Sequence, residues 1–299
     1  MACLSTLHRA SLLLRPPPRY LDVARPGSIT STERENLASF LADASDDIRL
    51  NVQMPALAMN YFDRYYALLL ADGVVVHKQV LELYAIVCLT LAAKFYTQCD
   101  PSIEWMCKVT EYKFSADLFF AVEMQVIERL EWTLHVPLPH TFFEMIFRGM
   151  DTPEGQAVVA NKNVMKWGCM LIDLTVFGYS FLDYSPLVVA CGALLCAARL
   201  ETVNDKAIVR TLDSICAECG ITQGEARACE VAMMASWERC FPNSLKAEKQ
   251  SFMPVRPDED DCADKAVVVR KEEERSDSEE RTDTTTPTSV IDAVDWTVR

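Results

Sequence analysis

The pattern most like a metal or redox site in this 299-residue chain is the Cys-x-x-Cys spacing of Cys216 and Cys219. Such a pair holds zinc when a second pair of ligands accompanies it. No second Cys-x-x-Cys pair occurs, and the chain has only four histidines. We therefore expect no metal and no cofactor, and we interpret the 12 cysteines as small apolar core residues in a reducing compartment.

The remaining polar residues form no recognisable catalytic motif. The sequence has no glycine-rich phosphate loop, no Gly-x-Ser-x-Gly, no His-Glu-x-x-His and no calcium-binding loop. Carboxylates are numerous, but none is paired with a candidate base in a known arrangement. The sequence therefore favours a binding module over an enzyme.

One lysine stands at the end of a stretch that otherwise looks like a core helix, CLTLAAKFYT at residues 88–97. Lys94 is followed at once by the aromatic residues Phe95 and Tyr96. Either this lysine extends from a core helix into solvent, or it marks a surface on which a partner packs. These residues alone leave both possibilities open.

The charge and hydropathy of the chain restrict its partners. The net charge is −14, and no cluster of lysine and arginine marks a phosphate-binding surface, so we expect no nucleic-acid partner. No apolar run approaches the ~20 residues that cross a bilayer, so we expect no membrane partner.

Apolar residues recur at three- and four-residue steps, and this periodicity predicts an all-α protein. The first predicted helix is STERENLASFLADASDD, with a capping box of Thr32 and Glu35. Four more helices are predicted before the prolines of VPLPH, at about 55–71, 77–96, 102–111 and 115–133. Five follow, at about 139–149, 156–178, 185–200, 205–218 and 223–239.

The two halves of the chain also share a short repeat. LTLAAKF and LLCAARL contain small residues and a base at the same place, about 105 residues apart. Together with the matching helix counts, this repeat predicts a duplicated five-helix domain. The predicted organisation is a disordered N-terminal arm (1–30), two domains (31–136 and 137–245) and a disordered acidic tail (246–299). The arginines and serines of the arm also resemble a mitochondrial transit peptide, which we consider the less favoured interpretation.

Several segments resemble the cyclin family. ALAMNYFDRYY, LAAKFY and AVEMQVIERLEWTLHVPLPHTFFEMIF are similar to the cyclin box, and the Met-Asn-Tyr-x-Asp-Arg form is most like D-type cyclins. LIDLTVFGYSFLDYSPLVVACGALLCAARL resembles the cyclin C-terminal domain, and TTTPTSVIDAVD resembles the tail of D-type cyclins. The resemblance covers nearly everything from about residue 31 onward and implies two tandem cyclin-box domains.

The resemblance also implies roles for individual residues. In cyclins, a lysine and a glutamate at the matching positions, here Lys94 and Glu123, face a kinase partner. The same surface is expected to include Phe95, Ile127, Trp132 and Leu134. Arg34 and Asp63 match a second cyclin pair, which is expected to tie the first helix to the second.

The first helix departs from the family at its substrate-docking patch. Cyclins often carry Met-Arg-x-Ile-Leu there, whereas this chain reads ERENL. Polar residues in an apolar patch weaken the docking of Arg-x-Leu substrates. The expected degenerate patch comprises Glu33, Asn36, Leu37, Phe40, Asp43 and Glu82. The Leu-x-Cys-x-Glu motif of D-type cyclins is also absent from the N-terminus.

By this resemblance, the chain is expected to be a non-catalytic regulatory subunit that activates a cyclin-dependent kinase at the G1/S transition. Its other expected partners are kinase substrates, and its expected location is the nucleus and cytoplasm. Thr286, followed by Pro287, is expected to be phosphorylated and to recruit a ubiquitin ligase. Ser276 and Ser278 are further expected phosphorylation sites. The alternatives are a transcription-associated cyclin and a cyclin-like scaffold of the transcription machinery.

Overall fold

The computed structural model describes residues 2–22, 28–97, 99–203 and 205–242. Within these ranges the regular secondary structure is helical, with no strand, which confirms the predicted all-α class. The predicted acidic tail, with Ser276, Ser278 and Thr286, lies outside the described residues.

The N-terminal residues form a helix, so the predicted disordered arm was wrong for this segment. Helix α1 (Ala2–Leu14) buries Leu4, His8 and Ser11 at helical spacing. Leu4 belongs to the core of the second domain, and the ring of His8 meets that of Phe142 edge-on at 6.4 Å. The surface on which α1 packs lies more than a hundred residues away in sequence, so composition alone did not reveal it.

The first domain contains the five predicted helices. Helix α4 is central, and its buried residues run without a gap from Leu83 to Ala93. Helix α3 ends before Asp72 and Gly73, as predicted, and Gly73 adopts a positive φ of 76° that favours glycine. The five helices are α2 (Ser31–Asp47), α3 (Met54–Ala71), α4 (Leu81–Tyr96), α5 (Ile103–Val109) and α6 (Ala116–Arg129).

The capping box of α2 lies two residues earlier than the sequence predicts. Thr30, rather than Thr32, is the N-cap, and its side chain accepts a hydrogen bond from the Glu33 backbone N–H. The Glu33 carboxylate accepts the Thr30 backbone N–H in return, at 2.8 Å. Both sequence pairs have the same Thr-x-x-Glu spacing, so spacing could not separate them.

The second domain contains six helices where five were predicted. The predicted helix 156–178 divides at Asn161, whose ψ of 95° interrupts the helix and whose side chain then caps the next one. Helix α10 is the buried central helix of this domain, as α4 is of the first. The repeated segments LTLAAKF and LLCAARL therefore occupy matching positions in the two domains. The six helices are α7 (Pro139–Arg148), α8 (Pro153–Ala160), α9 (Lys162–Phe177), α10 (Pro186–Leu200), α11 (Asp205–Cys219) and α12 (Gln223–Cys240).

One helical segment reaches the length and hydropathy of a membrane span, contrary to the sequence-based expectation. Residues Lys78–Tyr96, a 3-10 turn continued by α4, form 19 residues of continuous helix. Of its apolar window, 72% is buried inside the protein. These features are those of the core helix around which the first domain is packed.

Candidate functional site

Helices α4 and α6 together position Lys94. Because α4 is buried up to Ala93, Lys94 is the first residue of its last turn to emerge from the core. Thr97 caps the end of the helix, and its hydroxyl donates to the Ala93 carbonyl at 2.7 Å. A cation in the last turn of a helix also interacts favourably with the helix dipole.

Lys94 and Glu123 form the ion pair that the cyclin resemblance implies. The Lys94 Nζ lies 2.8 Å and 3.0 Å from the two Glu123 carboxylate oxygens. The side chains are 34% and 16% exposed, so water reaches the pair. An ion pair accessible to water contributes little to stability, on the order of 0–1 kcal/mol, so the fold does not depend on it.

Exposed apolar side chains occur on the same two helices and on the turn that ends α6. Phe95 is 49% and Trp132 is 67% exposed, as a surface role requires. On α6, Phe120 and Met124 are exposed, and Phe120 lies one turn before Glu123 and Met124. We name these six residues the paired-charge surface: Lys94, Phe95, Phe120, Glu123, Met124 and Trp132.

Trp132 owes its exposed position to the turn that ends α6. Glu131 and Trp132 both have positive φ, at 52° and 57°. The Trp132 backbone N–H donates to the Ile127 carbonyl at 3.0 Å, which closes the turn. Without the left-handed turn, the chain would not leave the helix at this point with Trp132 in solvent.

Two of the predicted surface residues lie in the core instead. Ile127 is 8% and Leu134 is 7% exposed, and both belong to the core of the first domain. The Leu134 carbonyl accepts a hydrogen bond from the buried Tyr61 hydroxyl. Both side chains therefore present little area to a partner.

Sequence reasoning missed three exposed residues near the pair. Phe120 and Met124 could have been found, because Phe119, Val122 and Val126 already supply the core face of α6. Tyr96 is 40% exposed, and its ring stacks on that of His135 at 5.9 Å. Its hydroxyl also accepts the Val136 backbone N–H at 3.3 Å, so it holds the end of α4 against the interdomain linker.

The predicted Arg34–Asp63 pair is present and fully buried. Arg34 Nε and Nη2 donate to the two Asp63 oxygens at 2.9 Å and 2.8 Å, and the side chains are 2% and 1% exposed. Tyr20 donates to the same carboxylate at 2.7 Å, and burial, followed by the Asp63 charge, raises the pKa of the Tyr20 hydroxyl. The pair therefore links α2 and α3, as predicted.

Arg34 also connects the two domains, which the sequence did not indicate. Its Nη1 donates to the backbone carbonyls of Val176 and Phe177 at 3.0 Å and 3.3 Å. These carbonyls end α9, where the helix has no partners of its own for them. Arg34 thus binds a carboxylate in one domain and a helix end in the other.

The predicted docking patch is polar, and two of its acids already have partners. Glu33 caps α2 and pairs with Lys78, and the Lys78 hydrogen bond is the main cause that lowers the Glu33 pKa. Glu82 accepts from Lys113 at 2.9 Å. Leu37 is buried, Phe40 is half-buried, and Asn36 and Asp43 are exposed. The patch therefore exposes little apolar area.

The two Cys-x-x-Cys residues lie at the end of α11 as half-buried free thiols. Burial raises the pKa of both Cys216 and Cys219, so neither is a reactive thiolate at neutral pH. In the part of the chain that the structure describes, no three His, Cys, Asp or Glu side chains are grouped so as to hold a metal ion.

Comparisons with known proteins find similarity to cyclins. Residues 2–135 match the family model described as "Cyclin, N-terminal domain". The chain is 28% identical over 183 residues to cyclin-A1-2 of Arabidopsis thaliana, covering 61% of this chain and 39% of that protein. It is 27% identical over 171 residues to the G1/S-specific cyclin-D2 of Gallus gallus, covering 56% of each. The chain thus spans about two fifths to just over half of the length of these relatives.

The same fold occurs in a viral cyclin from herpesvirus saimiri, with a TM-score of 0.62 and 15% identity over 78% of this chain and 97% of that one. In this chain the first of two helical domains carries the Lys94–Glu123 pair and several exposed aromatic side chains. The similarity of this chain to cyclins thus rests on the family model over residues 2–135 and on A-type and D-type relatives.

Proposed function

We propose that this chain is a non-catalytic regulatory subunit that binds and activates a cyclin-dependent kinase through the paired-charge surface. On binding, the surface presses on the mobile helix of the kinase, so that the active-site Lys–Glu ion pair forms and the activation loop moves aside. If the chain binds the active kinase conformation ~5.5 kcal/mol more tightly than the inactive one, the active fraction of the kinase rises from 1% to 99%. Phosphotransfer is then carried out by the partner alone.

The observation that carries this proposal is the Lys94–Glu123 pair among exposed aromatic residues. Phe95, Phe120 and Trp132 supply the large apolar side chains that dominate binding energy at protein interfaces. Lys94 and Glu123 supply polar contacts whose signs fix the partner's orientation. The surface thus combines the large apolar side chains and the charged contacts that are typical of a specific interface.

The test is to exchange the two charges. The Lys94→Glu, Glu123→Lys variant retains an ion pair between α4 and α6, so the fold should be kept. Its charges oppose those of the partner in a desolvated interface, which costs ~2–5 kcal/mol and weakens kinase binding at least about thirtyfold. Binding is measured by titration against purified cyclin-dependent kinases, with circular dichroism to check folding.

The matched control exchanges a pair at the other end of α4. Glu82 lies in the first turn of α4, and Lys113 lies just before α6, so Glu82→Lys, Lys113→Glu is also an exchange of an exposed pair in the same domain. It should bind kinase as the wild type does. Wild-type affinity in the Lys94, Glu123 exchange would refute the proposed surface.

We further propose a role in G1/S control, with the chain present in nucleus and cytoplasm. The Met-Asn-Tyr-x-Asp-Arg segment and the similarity to a G1/S-specific cyclin-D2 support this assignment, although A-type cyclins are equally similar. Affinity purification with mass spectrometry tests it: recovery of cell-cycle kinases supports the role, whereas recovery of transcription kinases alone favours a transcription-associated cyclin.

A further inference from the structure

The second domain repeats the charge pair of the first domain but changes what stands beside it. Arg199 lies in the last turn of α10, as Lys94 lies in the last turn of α4. Its Nη1 is 3.7 Å from Oε1 of Glu230 on α12. Three residues before the acid of each pair, the first domain has Phe120 and the second has Arg227. The repeat therefore replaces an exposed aromatic side chain with a cation at this position.

Glu230 brings two arginine side chains close together. Arg227 Nη1 donates to its Oε2 at 3.0 Å, and Arg199 approaches its Oε1. The Glu230 side chain is only 8% exposed, whereas those of Arg199 and Arg227 are 66% and 49% exposed. Two exposed cations thus share one nearly buried acid, so the group carries a net positive charge on its accessible side.

The other acids close in sequence to these arginines are held elsewhere. Glu201 accepts hydrogen bonds from α9, including one from Trp167 Nε1 at 2.8 Å. Glu225 belongs to the capping box of α12, where it accepts the Thr222 backbone N–H at 2.7 Å. Each guanidinium has five N–H donors, so donors remain for a ligand after the contact with Glu230.

An exposed aliphatic side chain adjoins the two arginines. Val231 is 66% exposed and lies four residues after Arg227, so the two side chains are neighbours on the surface of α12. We name Arg199, Arg227, Glu230 and Val231 the two-arginine surface. The net charge of the chain is −14, which repels the continuous phosphate backbone of a nucleic acid. A short acidic peptide segment needs only local cations and fits this surface better.

We propose that the two-arginine surface binds a short segment of a partner protein in which Asp or Glu residues alternate with apolar residues. The carboxylates of the segment accept charge-assisted hydrogen bonds from both arginines, and an apolar side chain packs on Val231. Glu230 holds the guanidinium groups before binding, which lowers the entropy cost of ordering them. This surface shares no residue with the paired-charge surface, so the inference does not depend on the proposed kinase binding.

Fluorescence anisotropy with the full chain tests the proposal. The probe is a fluorescein-labelled peptide of three Glu-Glu-Leu repeats, and the matched peptide has glutamine in place of every glutamate. The acidic peptide should bind at least about tenfold more tightly than the glutamine peptide, and its affinity should fall as the salt concentration rises. Equal binding of the two peptides, or no binding of the acidic one, would overturn the proposal.

Removing both cations should weaken the binding of the acidic peptide about tenfold, as expected in Arg199→Gln, Arg227→Gln. The matched control is Arg148→Gln, Arg210→Gln, which removes two exposed, ion-paired arginines from the same domain. Both variants change the net charge equally, and the control should bind the peptide as the wild type does. An equal loss in the control would show that only the overall charge matters, and the proposal would be wrong.

A second variant leaves both ion pairs intact, so that the test does not depend on the stability of the first. Val231→Glu places a carboxylate beside Arg227 at an exposed position and should weaken binding of the acidic peptide about fivefold. Wild-type affinity in Val231→Glu would contradict the proposal. Sedimentation tests the other possible occupant: self-association of the chain that Val231→Glu abolishes would assign the surface to a second copy instead.

Discussion

Only some of the contacts of Arg34 could be predicted from the sequence. Its pairing with Asp63 could be predicted, because the cyclin resemblance fixes both positions. Its hydrogen bonds to Val176 and Phe177 could not, because these partners lie 142 and 143 residues further on and are backbone atoms. A side-chain pattern carries no information about which carbonyl a buried guanidinium reaches.

Breaking this pair from one side should strongly destabilise the protein. In Arg34→Met the Asp63 carboxylate stays buried without its cation and the end of α9 loses its donor, so we expect a loss of about 3–5 kcal/mol. Tyr20→Phe removes a single hydrogen bond to the same carboxylate and should cost only about 1 kcal/mol. Urea unfolding measures both. Equal effects of the two substitutions would contradict the bridging role.

The paired-charge surface was predictable only in part. Lys94, Glu123, Phe95 and Trp132, which the cyclin resemblance places on it, are exposed or partly exposed. Ile127 was assigned there by its place on α6, but that helix turns it toward the core and exposes Met124 instead. The burial of a residue near a helix edge depends on what the neighbouring helices cover, and that is a property of packing rather than of spacing.

Among the helices, α1 departs most from the prediction, because the sequence indicated a disordered segment there. The packing of α1 against the second domain should depend on pH. His8 is buried against the second domain, and burial is the main cause that lowers its pKa from the ordinary 6.5. The Arg15 charge lowers it further, and Glu225 of α12 raises it in part. In the unfolded chain His8 therefore binds a proton at a higher pH than in the folded chain.

The sign of the effect follows from linkage. As pH falls below about 6.5, the unfolded state gains the proton first, so the stability that His8 contributes is lost toward acid pH. His8→Phe, which keeps an aromatic ring against Phe142, should therefore reduce the fall in stability between pH 7.5 and 5.5. The comparison is urea unfolding at both pH values, with the exposed His77→Gln as control. An unchanged pH dependence in His8→Phe would show that α1 does not dock through a neutral His8.

The crossing of α7 and α9 depends on the absence of a side chain at Gly168. A Cβ there would lie 1.9 Å from Cζ of Phe143, which is 1% exposed and stacked on Phe147. Gly168→Ala must therefore displace a packed ring and should cost about 1–3 kcal/mol. Gly224→Ala is the matched control, since only the Thr222 hydroxyl lies within 4 Å and alanine favours α12. In thermal unfolding, Gly168→Ala should lower the melting temperature and Gly224→Ala should raise it.

At the scale of the molecule, the two domains repeat the same helical framework, which could be predicted from the sequence. Their exposed surfaces differ, and these could not be predicted. Arg199 of α10 lies 3.7 Å from Glu230 of α12, in the same arrangement as Lys94 and Glu123. The repeat therefore preserves the central helix and its terminal charge pair. Where the first domain exposes Phe120 and Met124, the second exposes Arg227 and Val231. The core pattern specifies the shared framework, whereas the outer positions, which packing does not constrain, diverged.

The lifetime of the whole molecule is proposed to depend on Thr286, outside the described residues. Pro287 follows it, as proline-directed kinases require, and phosphorylation adds nearly two negative charges that an arginine-lined ubiquitin-ligase receptor can bind. Thr286→Ala should lengthen the half-life in dividing cells, whereas Thr288→Ala, which lacks a following proline, should not. A cycloheximide chase measures both. An unchanged half-life in Thr286→Ala would place the degradation signal elsewhere, and an equal effect of Thr288→Ala would show that the proline is not required.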